Sequence, residues 1–557
     1  MRRLRGKAMA GRARVAFVGA VLVLGLVPQA AGGQSAATGK DPRLTSAAHA
    51  SNGQDEAPGH SYTSPGVVVD PENPKHVYAA TVDVRSQRCA LLRSFDGGRN
   101  WERPKSSPSP DAFPFCTHDN GFIPMSFLAM GRDNTLYFAH IGWDTQDGGR
   151  SENRSVFLGR STDRGENWDS TMVRNNRGKT GDDIEKNVPT GLAVDTSGPQ
   201  DVVYVTWTAS FPNPSRPSRP GQPMMAVSGD GGKTFGEPVN VSGTFFDDPQ
   251  NLPADLTEAH RVRANFGGSG VSPTVDAKGN LWVSWTRSTA NITPNSPPTA
   301  LYLSRSTDQG KTFAVSEIHP PDANQFGPTG TRLQWSSEGG PTGSLHAVWE
   351  GKTEGTQGDR DVLYRRSTDE GRTWSDVRVL NDDDPAQLYG QFQPNLSIAP
   401  DGRLDVVWWD MRDSNGRFVN DVYATYSNDS GATWSKNVRI TDRSIDRTIG
   451  MWRPGTGGDV RQPPGIGSAE AVTYFVWDDT RHGTLQTETQ DLYAAAAQFK
   501  ALPGSGLPST AGYLLAIVLG VGAVGLMLLV GSLMLRGRRS GSLPAEAQSG
   551  KAPAQVG

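Results

Sequence analysis

Acidic and guanidinium side chains recur in this 557-residue chain at one kind of place, directly after short apolar segments that mostly end in Trp. The tracts are Asp83-Val-Arg85, Asp144-Thr-Gln146, Thr208-Ala-Ser210, Thr286-Arg287-Ser288, Glu350-Gly-Lys352, Asp410-Met-Arg412-Asp413 and Asp478-Asp-Thr-Arg481-His482. Two chemistries suit them. Arg85, Arg287, Arg412 and Arg481 carry planar forks that can grip a substrate carboxylate through paired hydrogen bonds. Asp410, Asp478 and Glu350 are the candidate catalytic carboxylates, because two acids flanking a bond can act as general acid and base. The same spacing also suits a structural role, in which acid–arginine pairs bridge neighbouring repeats. Two acidic tracts, Asn381-Asp-Asp-Asp384 and Phe246-Asp-Asp-Pro249, offer oxygens to calcium, but neither matches an EF-hand loop. No metal or other cofactor is therefore expected, with calcium the one ion left open.

The elements that must position these residues come from a repeat. The octapeptides Ser94-Phe-Asp-Gly-Gly-Arg-Asn-Trp101, Ser161-Thr-Asp-Arg-Gly-Glu-Asn-Trp168 and Ser228-Gly-Asp-Gly-Gly-Lys-Thr-Phe235 share one pattern. It returns in Ser306-Thr-Asp-Gln-Gly-Lys-Thr-Phe313, Ser367-Thr-Asp-Glu-Gly-Arg-Thr-Trp374 and Ser427-Asn-Asp-Ser-Gly-Ala-Thr-Trp434, and successive starts lie 67, 67, 78, 61 and 60 residues apart. Its chemistry is that of a hairpin turn. Asp96, Asp163, Asp230, Asp308, Asp369 and Asp429 can accept backbone N–H groups, the fifth-position Gly permits positive φ, and the last aromatic folds back as a plug. These aspartates are thus structural. Ahead of each box run apolar strands such as Val202-Val-Tyr-Val-Thr-Trp207 and Leu281-Trp-Val-Ser-Trp285. Counting strand ends at Val82, Trp143, Trp207, Trp285, Trp349, Trp409 and Trp477 gives seven units. The expected fold is an all-β propeller of seven blades, with six as the alternative, in which ring closure removes open sheet edges. The seventh unit has lost its box, so its remaining strand is expected from the N-terminal segment.

The two ends of the chain read as export and anchoring. Arg2, Arg3, Arg5, Lys7, Arg12 and Arg14 precede an uncharged apolar run at 15–27, followed by Pro28-Gln-Ala-Ala-Gly-Gly33. That run is too short to span a bilayer and reads as a secretory signal over 1–32, cleaved after Ala31 or Gly32. Residues 33–61 form the segment that would close the last blade, and 62–500 the propeller. A linker at 501–512 contains Leu507-Pro-Ser-Thr-Ala-Gly512, and the 23 uncharged residues at 513–535 form one transmembrane helix. Arg536, Arg538 and Arg539 open the basic tail at 536–557, which the positive-inside rule places in the cytoplasm. The propeller then lies outside a single-pass membrane protein, and the Leu507–Gly512 motif is similar to a sorting signal for attachment to a cell wall. Cys89 and Cys116 are expected to form a disulfide in an exported chain. A formal net charge of −3, with 65 Gly and 39 Pro, fits a turn-rich β protein and excludes a basic nucleic-acid binder.

The six octapeptides resemble the Asp-box, or BNR, repeats of sialidase-like β-propellers, over roughly residues 66–499. The resemblance implies a propeller, and in its enzymes an arginine triad, a Tyr–Glu nucleophile pair and an Asp acid/base. Their Arg-Ile-Pro motif ahead of the first box is missing here; the nearest tract is Phe122-Ile-Pro124, placed after that box. Two functions follow as expectations. One is a cell-surface monomer that binds extracellular glycan or cell-wall polymer. The other is an exo-glycosidase of sialidase type acting on terminal sialic acid or a related acidic sugar.

Overall fold

Segments such as Val472–Asp479 and Leu404–Asp410 are buried along their whole length, which is why their sequences run apolar rather than alternating: both faces of the strand are covered. The computed structural model describes residues 42–51, 61–83, 85, 88–104, 127–143, 154–176, 186–210, 222–243, 271–287, 300–320, 329–353, 360–387, 389–415, 417–450 and 462–499. The expected signal at 1–32, linker at 501–512, transmembrane helix at 513–535, tail at 536–557, Cys116 and Asp144 lie outside them, as do most of the long insertions at 210–223 and 240–272 and the acidic tract at 246–249. Among the described residues no helix is long and apolar enough to cross a membrane.

The described strands form seven antiparallel sheets, so the chain is a seven-bladed propeller and the six-blade alternative is set aside. Blade 6 shows the plan: an innermost strand Gln391–Ile398, then Leu404–Asp410, Val419–Ser427 and the short outer Val438–Arg439. The innermost strands Tyr62–Val69, Phe127–Met130, Lys186–Asp195, Ser272–Val275, Thr329–Ser336, Gln391–Ile398 and Gly465–Ser468 touch one another in cyclic order around an axial channel. Blade 7 takes its outer strands from the other end of the chain. Arg43–Leu44 and Ala48–His49 pair antiparallel with Asp491–Gln498.

The apolar core lies between blades, not inside them. Trp207 packs with Tyr137 and Leu158 of the preceding blade, Trp349 with Leu303, and Trp408 with Val348 and Tyr364. Register explains this. The residue four places before each box Ser pairs with His140, Trp207, Trp285, Trp349 and Trp408 in blades 2 to 6. The position facing the preceding blade is therefore His140 in blade 2, not Trp143, and Trp408 in blade 6, not Trp409. Trp409 faces the other way, onto Trp477 and Tyr493 of blade 7.

Each octapeptide turns the chain between the third and fourth strands, at the opposite end of the blade from the candidate tracts. In blade 4 Asp308 Oδ1 accepts the Thr312 N–H at 2.9 Å and the Ser306 hydroxyl at 2.7 Å, and Oδ2 accepts the Thr312 hydroxyl at 2.6 Å. The fifth-position glycines, Gly98 to Gly431, hold φ between 80° and 84°. They also lean on the preceding blade: an added Cβ would overlap Leu91 at Gly165, Met225 at Gly310 and Leu303 at Gly371. The fourth position is left-handed as well, even where Arg164, Gln309, Glu370 and Ser430 occupy it. That strain was not visible in the repeat, because the residue type there varies.

Candidate functional site

Asp410 ends the second strand of blade 6, and its carboxylate organises everything after it. Oδ1 accepts the Arg412 N–H at 2.8 Å, an Asx-type turn that reverses the chain. Oδ2 accepts Trp408 Nε1 at 2.9 Å and the Arg412 guanidinium at 2.8 and 3.0 Å. Arg412 then reaches Asp382 at 2.8 Å and Asn437 at 3.0 Å, and stacks 4.3 Å over the Tyr423 ring. Burial works against its charge, but the bonds and charges of Asp410, Asp382 and Asp383 outweigh it and raise its pKa further. The Asp383 pKa is pushed up as well, by burial and by the charge of Asp410.

Blade 7 repeats the constellation. Asp479 accepts the Arg481 N–H at 2.9 Å, Trp477 Nε1 at 3.1 Å and the Arg481 guanidinium at 2.8 Å. Arg481 reaches Asp442 at 2.7 Å and lies 3.8 Å over the Tyr493 ring. Trp477 and Asp479 are thus the counterparts of Trp408 and Asp410, so the acid that matches Asp410 is Asp479 and not Asp478. Blade 1 keeps part of the pattern: Asp83 accepts the Arg85 N–H at 3.1 Å, while Arg85 bonds the Thr487 carbonyl and stands 3.9 Å from Glu488, both in blade 7.

The other two candidate carboxylates have separate partners. Asp478 pairs with Arg447 at 2.8 Å; Arg447 also bonds Asn420 at 2.7 Å and lies 4.6 Å over Trp409. Glu350 pairs with Arg360 at 3.0 Å and accepts the Gln393 N–H of the next blade at 2.7 Å. Asp410, Asp478 and Glu350 are 0%, 3% and 4% exposed. Arg85, Arg412 and Arg481 are each engaged at their own blade junction. The Arg287 side chain lies outside the described residues.

Asp442, Asp382, Tyr423 and Tyr493 are site residues that sequence reasoning missed. The Asp-x-Arg spacing shared by Asp83–Arg85, Asp410–Arg412 and Asp479–Arg481 was the available signal for Asp479. Nothing in sequence singles out Arg447 or the linker acid Asp442, and Asp382 stands only in the acidic tract weighed for calcium. The tract offered for calcium is knitted into the same junction: Asn381 donates to Asp361 at 3.0 Å and Asp383 at 2.7 Å, and Asp382 serves Arg412. Cys89 is disulfide-bonded, in a chain that contains two cysteines.

Along the axis, Arg332, Gln334, Asn395 and Gln462 give the channel a polar wall. Arg332 is 9% exposed, donates to the Thr331 carbonyl at 3.0 Å and stands 5.9 Å from the Phe127 ring. Burial lowers its pKa to about 10. The channel widens into a funnel of about 730 Å³ among the turns that end the innermost strands, including Pro71, Asp133 and Thr196.

No protein-family model matches the chain, and no curated protein matches it. Solved structures similar to it include the Hadza microbial sialidase Hz136, 15% identical over 77% of this chain and 74% of that one, with a TM-score of 0.41. The GH93 alpha-L-arabinofuranosidase of Fusarium graminearum is 12% identical over 69% and 98%, with a TM-score of 0.41. Trypanosoma rangeli sialidase is 13% identical over 84% and 60%, with a TM-score of 0.38.

Proposed function

We propose that the propeller is a recognition module displayed outside the cell, which binds an extracellular glycan or wall polymer without cleaving it. The observation that supports this reading is the engagement of the strand-end arginines. Arg412 and Arg481 already direct paired donors at Asp410 and Asp479, and a substrate carboxylate would have to displace a pair whose acid is fully buried. Such arginines hold blades together and leave recognition to the surfaces they support. The N-terminal signal and the 513–535 span support export and a single-pass anchor, and the Leu507–Gly512 motif supports a second attachment, to the wall.

The test is a panel of sialosides, other acidic glycosides and wall polymers offered to the purified chain, with binding and sugar release measured together. Saturable binding with no release supports the module. Release of a terminal sugar, abolished by Arg481→Ala in a folded variant, would establish the exo-glycosidase instead.

A further inference from the structure

The closing strand of blade 7 carries a histidine into a small polar cluster. His49 lies on Ala48–His49, which pairs with Ala494 and Tyr493. Its Nε2 stands 3.5 Å from Asp491 Oδ1, and His482 Nδ1 stands 3.0 Å from Asp491 Oδ2. The three ligand atoms all lie within 4.8 Å of one another. We propose that His49, His482 and Asp491 bind a divalent transition-metal ion of the zinc class, which clamps the N-terminal strand to the last blade.

Geometry carries the assignment. A tetrahedral zinc ion holds nitrogen and oxygen ligands at about 2.0–2.2 Å, which sets neighbouring donors roughly 3.3–3.6 Å apart. The His49–Asp491 separation of 3.5 Å sits at that spacing and the His482–Asp491 separation of 3.0 Å lies just below it, so an ion replaces the hydrogen bonds with small side-chain shifts. Two imidazoles and one carboxylate suit zinc, copper or nickel; calcium and magnesium take all-oxygen sets. The rings are already placed. His49 stacks on Tyr493 with centroids 4.8 Å apart and planes 4° apart, and the Tyr493 hydroxyl lies 3.4 Å from His482 Nε2.

The surroundings permit entry. His482 is 53% exposed in its side chain, so the ion and a solvent-supplied fourth ligand reach the site from outside. Ser51 Oγ, 3.3 Å from His49 Nε2, also accepts the Leu492 N–H, tying the same strand from its other side. Arg481, which stacks on Tyr493, is paired with Asp479 and Asp442. What the ion adds is a bond between two segments far apart in sequence, where the backbone ladder supplies only short stretches of pairing.

The experiment is a Zn2+ titration of the full chain, freed of metal with a chelator, followed by calorimetry and by thermal unfolding. One equivalent should bind and raise Tm, and EDTA should reverse the rise. His49→Ala and His482→Ala should each weaken binding at least about tenfold and abolish the Tm response. His482 is exposed enough that its loss leaves folding intact, which keeps the test decisive if His49→Ala is unstable. Absence of saturable binding up to millimolar Zn2+, or unchanged binding in His482→Ala, would overturn the site and leave a plain His–Asp hydrogen-bonded pair.

Discussion

Asp410 and Arg412 show how a charged pair can look like a catalytic residue and its clamp while serving a blade junction. Asp410 is 0% exposed and its partner's side chain 14%. Removing Arg412 strands a buried carboxylate among Trp408, Gln391 and Asp383. Arg412→Ala should therefore destabilise the fold by about 3–5 kcal/mol in chemical denaturation, with the Asp410→Asn, Arg412→Ala double variant recovering part of the loss. Arg85 is 30% exposed and 3.9 Å from Glu488, so Arg85→Ala should cost no more than about 1 kcal/mol. Equal losses for the two would refute the difference drawn between them. The Asp-x-Arg tracts were legible because they are local. Their partners Asp382 and Asp442 were not, because they arrive on linkers whose path only the packed ring defines.

At the scale of the element, the box is a turn that also spaces the blades. A Cβ on Gly431 would overlap Tyr364 Oη at a φ of 81°, whereas one on Gly98 would meet Tyr474 at 3.2 Å at a φ of 80°. Backbone strain is common to both positions, at about 1 kcal/mol, and overlap with a buried neighbour adds about 1–3 kcal/mol. Gly431→Ala should thus lower stability clearly more than Gly98→Ala, read as the difference between their denaturation midpoints. The turn was readable from the Asp and Gly spacing, and the strands from their apolar runs. What sequence could not supply was which face each aromatic takes. Every second strand is buried on both sides, so Trp408 and Trp409 look alike until pairing with Tyr423 and Val422 separates them.

At the scale of the whole molecule, the ring responds to acid in two stages. His140 is fully buried, and burial lowers its pKa to about 4; burial, with the charge of Arg366, lowers His346 to about 3. A histidine whose folded pKa lies below its unfolded value of about 6.5 takes its proton more readily when unfolded, so stability falls as pH drops below about 6.5 and keeps falling to the folded pKa. The box aspartates act lower. Slight burial of Asp230 opposes its charge, but the Thr234, Ser228 and Lys233 bonds hold its pKa at about 2, and Asp96, Asp163, Asp308, Asp369 and Asp429 are lowered too. Their contribution is present above about pH 4 and is lost as pH falls through the folded pKa values. His140→Phe, stacked on Phe157 like the imidazole it replaces, should flatten the decline between pH 6.5 and 4 on the order of 3 kcal/mol and leave the lower stage intact. An unchanged upper stage would place that proton uptake elsewhere.

Closure sets the last requirement on the ring. Among the described residues blade 7 has no box and no fourth strand of its own, so Asp491–Gln498 would be a bare edge without Arg43–Leu44 and Ala48–His49. Exposed strand edges invite pairing with other chains. Ser51 and Thr45 add hydroxyl acceptors to the Leu492 and Ala496 N–H groups, so the join is dense for its length. Deleting residues 42–51 should therefore lower Tm and produce concentration-dependent oligomers on size exclusion, both reversed by adding the excised segment as a peptide. A monomer with unaltered Tm would mean that the interblade core, not the borrowed strand, holds the ring shut.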